Sequence, residues 1–107
     1  MSKNVVCFPG GGEPTAEALV RRIRELSAAP DTDNVDFSKP HFREQMAERQ
    51  ISMRQVLDVL RNGEAASRPR LDQYGDWRIK LRKVSAGRSV QVVVAVQLDR
   101  LTVITTI

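Results

Sequence analysis

The chain has a single cysteine, Cys7, so it can form no disulfide within itself, and this usage fits a reducing cytosol. It also has a single histidine, His41. A zinc site built on Cys7 and His41 would need carboxylates to complete it, which argues against structural zinc. Aromatic residues make up only 5% of the chain, too few for the stacking platforms of single-strand binders. No apolar run approaches the roughly 20 residues of a membrane span. Val5-Val6-Cys7-Phe8 is too short for the apolar core of a signal peptide. A cytoplasmic protein with no membrane partner and no cofactor is therefore expected. The triple glycine Gly10-Gly11-Gly12 lacks the Lys-Ser/Thr of a phosphate loop and the later glycine of a dinucleotide fingerprint, so Pro9 to Pro14 reads as a flexible joint. No nucleophile-elbow pattern surrounds Ser38, Ser52 or Ser67, which leaves serine hydrolase chemistry unsupported.

What remains is 107 residues, one domain's worth, with ordinary apolar (41%) and charged (28%) fractions. The net charge is +4 and unevenly spread: residues 1–37 carry −2 and residues 38–107 carry +6. Most of the bases are arginine, the better fork for phosphate. Such a balance points to a polyanion or an acidic protein as partner and says nothing of the fold.

Residues 2–8 read as a short strand or an arm. Thr15 caps a predicted helix to about Ala28, with Leu19, Ile23 and Leu26 on one stripe. Pro30 ends it, and the charge changes sign just beyond. Residues 1–36 thus form an arm and an amphipathic helix ahead of a unit at 37–107, within one compact domain. The acidic segment either shields the basic half or packs on the core, and packing is the expectation. Ser38 is the candidate cap of a second helix, with Pro40 in its first turn, Phe42 and Met46 on one face, and a break near Gln50. Ser52 and Gln55 form a capping box, with Ile51 and Val56 as its hydrophobic staple, and Asn62-Gly63 stops this third helix. The two short helices make a helix–turn–helix-like corner. An acid, Asp58, between Arg54 and Arg61 favours simple packing over DNA readout.

The periodicity then changes from 3.6 to 2. Trp77, Ile79 and Leu81 alternate with Arg78, Lys80 and Arg82. Ser85-Ala86-Gly87-Arg88 reads as a hairpin turn, Val90 to Val96 as a buried strand, and Leu101 to Ile107 as a covered or central one, with a fourth strand near Leu71–Tyr74. The expected architecture is α+β: N-terminal helices packed on one face of a twisted antiparallel sheet of three to four strands.

Two features carry chemistry. Arg78, Lys80 and Arg82 project from one face about 6.6–7 Å apart, close to the spacing of successive phosphates. Lys83 and Arg88 near the same hairpin add to this nucleic-acid-binding set; a solvated sheet face is the alternative. His41 sits in the first turn of a helix, where the dipole favours a neutral ring able to accept a proton. A lone histidine is also commonly a bystander. A metal-free ribonuclease needs a base for the 2′-hydroxyl, cations for the phosphorane and an acid for the leaving oxygen. His41 with an arginine cluster meets that need on RNA but not on DNA.

The segment Phe37-Ser38-Lys39-Pro40-His41-Phe42-Arg43-Glu44-Gln45-Met46-Ala47-Glu48-Arg49-Gln50-Ile51-Ser52 resembles the opening of the bacterial domain of unknown function 4258. The agreement continues through Val56 to Gly63, Asp72 to Arg78, the valine-rich strand and Leu101 to Thr105. Gln50 stands where that family usually has glycine, and Pro40-His41-Phe42 departs from its commoner His-Ala. The family in turn resembles the RelE/barnase-like superfamily of small ribonuclease toxins. That resemblance implies a RelE-like fold over residues 37–107 and a toxin that cuts RNA without metal, with RNA (free or on ribosomes) and an antitoxin protein as partners. It implies His41 as acid/base, Arg49 and Arg78 as phosphate holders, and Thr105 orienting phosphate or sugar. The alternative from the same residues is a non-catalytic module that docks nucleic acid or an acidic protein.

Overall fold

The computed structural model describes residues 14–28, 33–97 and 99–106. The arm at 2–8, the glycines at 10–12 and Ile107 lie outside them. Helix α1 (Ala16–Ser27) begins at Thr15, whose side chain accepts from the Ala18 amide. Strand β1 (Val35–Asp36) leads to α2 (Pro40–Arg49) and α3 (Met53–Asn62). Strands β2 (Glu64–Ala65), β3 (Arg70–Leu71), β4 (Trp77–Ser85), β5 (Arg88–Val96) and β6 (Leu101–Thr106) follow.

Local chemistry explains most of these boundaries. At α3 the Ser52 side chain accepts from the Gln55 amide, and the Gln55 side chain accepts from the Ser52 amide, the reciprocal capping box. Gly63 ends α3, but not through a left-handed turn: its φ is −74°. A Cβ there would collide with the Val59 carbonyl oxygen, so glycine is required by close approach. At α2 the expected cap is corrected. Lys39 occupies the cap position without a side-chain bond, while the Ser38 hydroxyl donates to the Asp36 carboxylate (2.6 Å). Gln50 closes α2 in the left-handed region (φ 54°), which explains why glycine suits this position. The β4–β5 hairpin turns on Ala86 (φ 53°) and Gly87 (φ 79°), the two positive φ values of a type I′ turn.

The sheet departs from expectation in size and sense. It has six strands, in the order β1-β6-β5-β4-β2 with β3 also paired to β4. It is mixed, because β1 runs parallel to β6, with Val35 opposite Leu101. The three short ladders are two residues long; β1 and β2 are too short for any periodicity to announce, and β3 overlaps the fourth strand expected near Leu71–Tyr74 only at Leu71. The long pairs are antiparallel, β4 with β5 and β5 with β6. The last strand is interior, as its apolar sequence implies.

One core joins the helices to one face of the sheet. Leu19 and Ile23 of α1, Phe42 of α2, and Val56, Val59 and Leu60 of α3 cluster with Ile79, Leu81, Val92, Val94 and Val103. Helix α1 therefore packs on the core. Two arginines tie it to α3: Arg24 donates to the Gly63 carbonyl (3.1 Å) and Arg61 to the Ser27 carbonyl (2.8 Å). Each caps the C-terminal carbonyls of the other helix. With Arg61 so used and Asp58 paired to Lys83, the helix–turn–helix corner serves packing.

Candidate nucleic-acid interface

Alternation along β4 sorts its side chains. Ile79 and Leu81 face the core, and Arg78, Lys80 and Arg82 face the other way. Across the sheet they stand opposite Ala95, Val93 and Gln91 of β5. Beyond these lie Thr102 and Thr105 of β6, opposite Ala95 and Val93. Ala95 and Thr102 are small, so the floor beside Arg78 is low.

On the outer side of β4, Arg70 stands directly opposite Arg78. Like charges so paired cost stability. Asp72 offsets this locally: its carboxylate accepts from Arg78 Nε (2.8 Å) and from the backbone amides of Tyr74 (2.8 Å) and Asp76 (3.0 Å). Burial pushes the Asp72 carboxyl up, but the hydrogen bonds from the Asp76 amide, Arg78 and the Tyr74 amide outweigh it, and the group lies below its ordinary value. Ser67 Oγ accepts from the Lys80 amide (3.0 Å) and closes the gap between β2 and β3.

Two cavities flank Arg78. One, of about 300 Å³, is lined by Ser67, Arg70, Asp72, Arg78, Lys80 and Val93. The other, of about 220 Å³, is lined by Lys39, Asp72, Tyr74, Asp76, Arg78, Gln97, Thr102 and Ile104. At its wall Asp76 is only 8% exposed. One of its oxygens accepts from Gln97 Nε2 (3.3 Å), and Gln97 Oε1 accepts from Thr102 Oγ1 (3.0 Å). The other oxygen, Oδ1, is buried without a partner among the described residues. Burial, reinforced by the Asp72 charge, pushes the Asp76 carboxyl above its ordinary value.

The structure thus brings Arg78, Lys80, Arg82 and Thr105 to one face. Arg82 forms an exposed ion pair with Glu64 (3.2 Å), and the Thr105 hydroxyl donates to the Thr106 carbonyl. Lys83 and Arg88 project to the helical side instead. Lys83 pairs with Asp58 of α3 (3.0 Å), and Arg88 donates to the Gln50 carbonyl at the end of α2 (2.9 Å). Arg49 lies at that same end and donates to Gln45 (3.2 Å). His41 is exposed in the first turn of α2 and lines neither cavity. Lys39, two residues earlier, does line the second. Arg70, Asp72, Asp76 and Lys39 were not singled out by periodicity or spacing. The signal present was the Asp72-to-Asp76 turn, which reads as ordinary loop chemistry.

A small α+β protein whose sheet turns a basic face away from the described helices is the class these observations define. Residues 38–107, well over half of the chain, match the domain of unknown function DUF4258, and the chain belongs to that family. Searches of curated proteins and of solved structures give no match. Among the described residues, no helix is long and apolar enough to cross a membrane.

Proposed function

We propose that this basic sheet face docks RNA and that the protein cleaves it without a metal ion, in the manner of the small RelE/barnase-like toxins that its family resembles. The observation that carries this reading is the cation set around one groove: Arg78 and Lys80 on β4 with Arg70 directly opposite. Alternate residues of a strand lie about 6.6–7 Å apart, so Arg78, Lys80 and Arg82 follow successive phosphates. An arginine held by Asp72 is a preorganised donor for the charge that builds on a pentacovalent phosphorus. Attack comes from the 2′-hydroxyl, so RNA reacts and DNA does not. In the same reading Thr105 borders the sugar, and His41, exposed in the first turn of α2, is the acid/base. An antitoxin protein that covers this face would silence it.

The second reading is a docking module for nucleic acid or an acidic protein. Its specific support is that His41 lines neither of the two cavities that flank Arg78. Incubation of RNA with the protein in EDTA separates the two. Cleavage that falls in Arg78→Ala and Lys80→Ala supports the nuclease; intact RNA, bound with a salt slope that these variants reduce, supports the module.

A further inference from the structure

We infer that the cavity between β3 and β4 takes a phosphate monoester, the terminal phosphate of an RNA end. This rests on the RNA-docking reading and names the part of the RNA that the cavity holds. The cavity, of about 300 Å³, gathers Arg70 from β3 with Arg78 and Lys80 from β4, and Asp72 is the one acid on its wall. Arg70 and Arg78 are cross-strand partners, so their Cβ atoms stand about 4.5–5.5 Å apart. Lys80 follows Arg78 on the same face at about 6.6–7 Å. Asp72 is committed to Arg78 (2.8 Å), and among the described residues no acid pairs with Arg70 or Lys80. Three cations against one carboxylate leave a surplus of two positive charges in one small space.

That surplus selects among anions. A phosphate monoester carries about −1.5 to −2 charges near pH 7 and offers three acceptor oxygens, one for each cation. A diester within the chain carries a single negative charge. Position points the same way. Arg78, Lys80 and Arg82 form a row along β4, and Arg82 already has Glu64 beside it (3.2 Å). Arg70 stands off that row, on a two-residue strand paired to β4, and adds a second cation level with Arg78. An RNA that follows the row presents one charge at that level, whereas an RNA that ends there presents a dianion. The Ser67 hydroxyl donates to the Arg68 carbonyl (3.2 Å) and accepts from the Lys80 amide (3.0 Å), so it shapes the wall and leaves recognition to the cations. The charged groups facing the phosphate are Arg70 from β3, Asp72 from the following loop, and Arg78 and Lys80 from β4; β5 contributes only Val93.

The test compares binding of one short RNA, with 2′-O-methyl sugars so that it stays intact, bearing a 5′-phosphate, a 3′-phosphate or hydroxyls at both ends. One phosphorylated form is expected to bind about tenfold or more tighter than the hydroxyl-ended form, and which form does so identifies the end. Asp72 lies below its ordinary value of 3.8 and stays ionised, so the preference shrinks from pH 7 to pH 5 as the phosphate loses its second charge. Arg70→Gln and Lys80→Gln are each expected to bring the ratio near one, and Arg70→Gln relieves a like-charge opposition, so it folds. Equal binding of all three RNAs overturns the inference and leaves the docking reading standing. A preference that survives in both variants overturns its placement in this cavity. Inorganic phosphate that raises the melting temperature of wild type but not of Arg70→Gln, with no end preference in RNA, overturns the RNA end and leaves a site for the free anion. Wild-type protein that binds none of the RNAs overturns the docking reading, and the inference falls with it.

Discussion

The two faces of β4 are built from adjacent residues and obey opposite rules. On the helical face Ile79 and Leu81 are almost wholly buried in the core beneath α3, and the one cation there, Lys83, is paired with Asp58. On the other face Arg78 opposes Arg70, Lys80 lines a groove, and Asp76 keeps a buried oxygen unpaired. The first face minimises free energy locally. The second holds like charges together and leaves a polar atom unsatisfied, both of which cost stability. Conflict of this kind on one side of one sheet is what the proposed docking of a ligand there would account for.

The comparison can be broken from the largest effect downward. Phe42→Ala empties the centre of the helical face and is expected to cost about 3–5 kcal/mol in denaturant unfolding. A loss below about 1 kcal/mol would mean that the helices contribute less to the core than their burial implies. Arg78→Ala is expected to weaken RNA binding and lower the salt slope by about one, and to lower the melting temperature because the largely buried Asp72 carboxylate loses its cation. Equal slopes for wild type and variant would remove Arg78 from the interface. Ser52→Ala breaks the capping box and should cost about 1 kcal/mol. Glu64→Ala removes an exposed ion pair to Arg82 and should change stability by about 0–1 kcal/mol, while it frees Arg82 for RNA.

Acid separates two carboxylates four residues apart. Asp72 titrates below its ordinary value of 3.8 in the folded state, so its contribution is present above that pH and is lost as pH falls through the folded value. Asp76 titrates above 3.8, so its ionisation opposes folding and that cost disappears as pH falls. Asp72→Asn should therefore lose stability at neutral pH and converge on wild type in acid. Asp76→Asn should be as stable as wild type or more so at neutral pH. Thermal melts from pH 3 to 7 decide both, and a large neutral-pH loss in Asp76→Asn would show that its carboxylate is structural.

The readable parts of this fold are those with local causes. Thr15 and the Ser52–Gln55 box start helices through bonds spanning three residues. Ala86-Gly87 closes the hairpin by its own dihedrals, and alternation along β4 predicts the basic row. Ser38 misled because its hydroxyl has a nearer acceptor in Asp36. Lys83 and Arg88 stand near the hairpin in sequence, yet odd and even positions of a strand face opposite ways. His41 carried the expectation of a base because histidine is the common choice; the buried aspartate Asp76 stands in a turn that no periodicity marks.

The sequence by itself determined the start of α1, both ends of α3, the β4–β5 hairpin and the side of β4 that is charged, because each depends on neighbours a few residues away. Tertiary structure alone decided that β1 pairs in parallel with β6, that Arg70 meets Arg78, and that Gln97, itself bonded by Thr102, reaches Asp76 from 21 positions away. Those contacts arise when a common core draws distant segments together, and apolar burial has no sequence range.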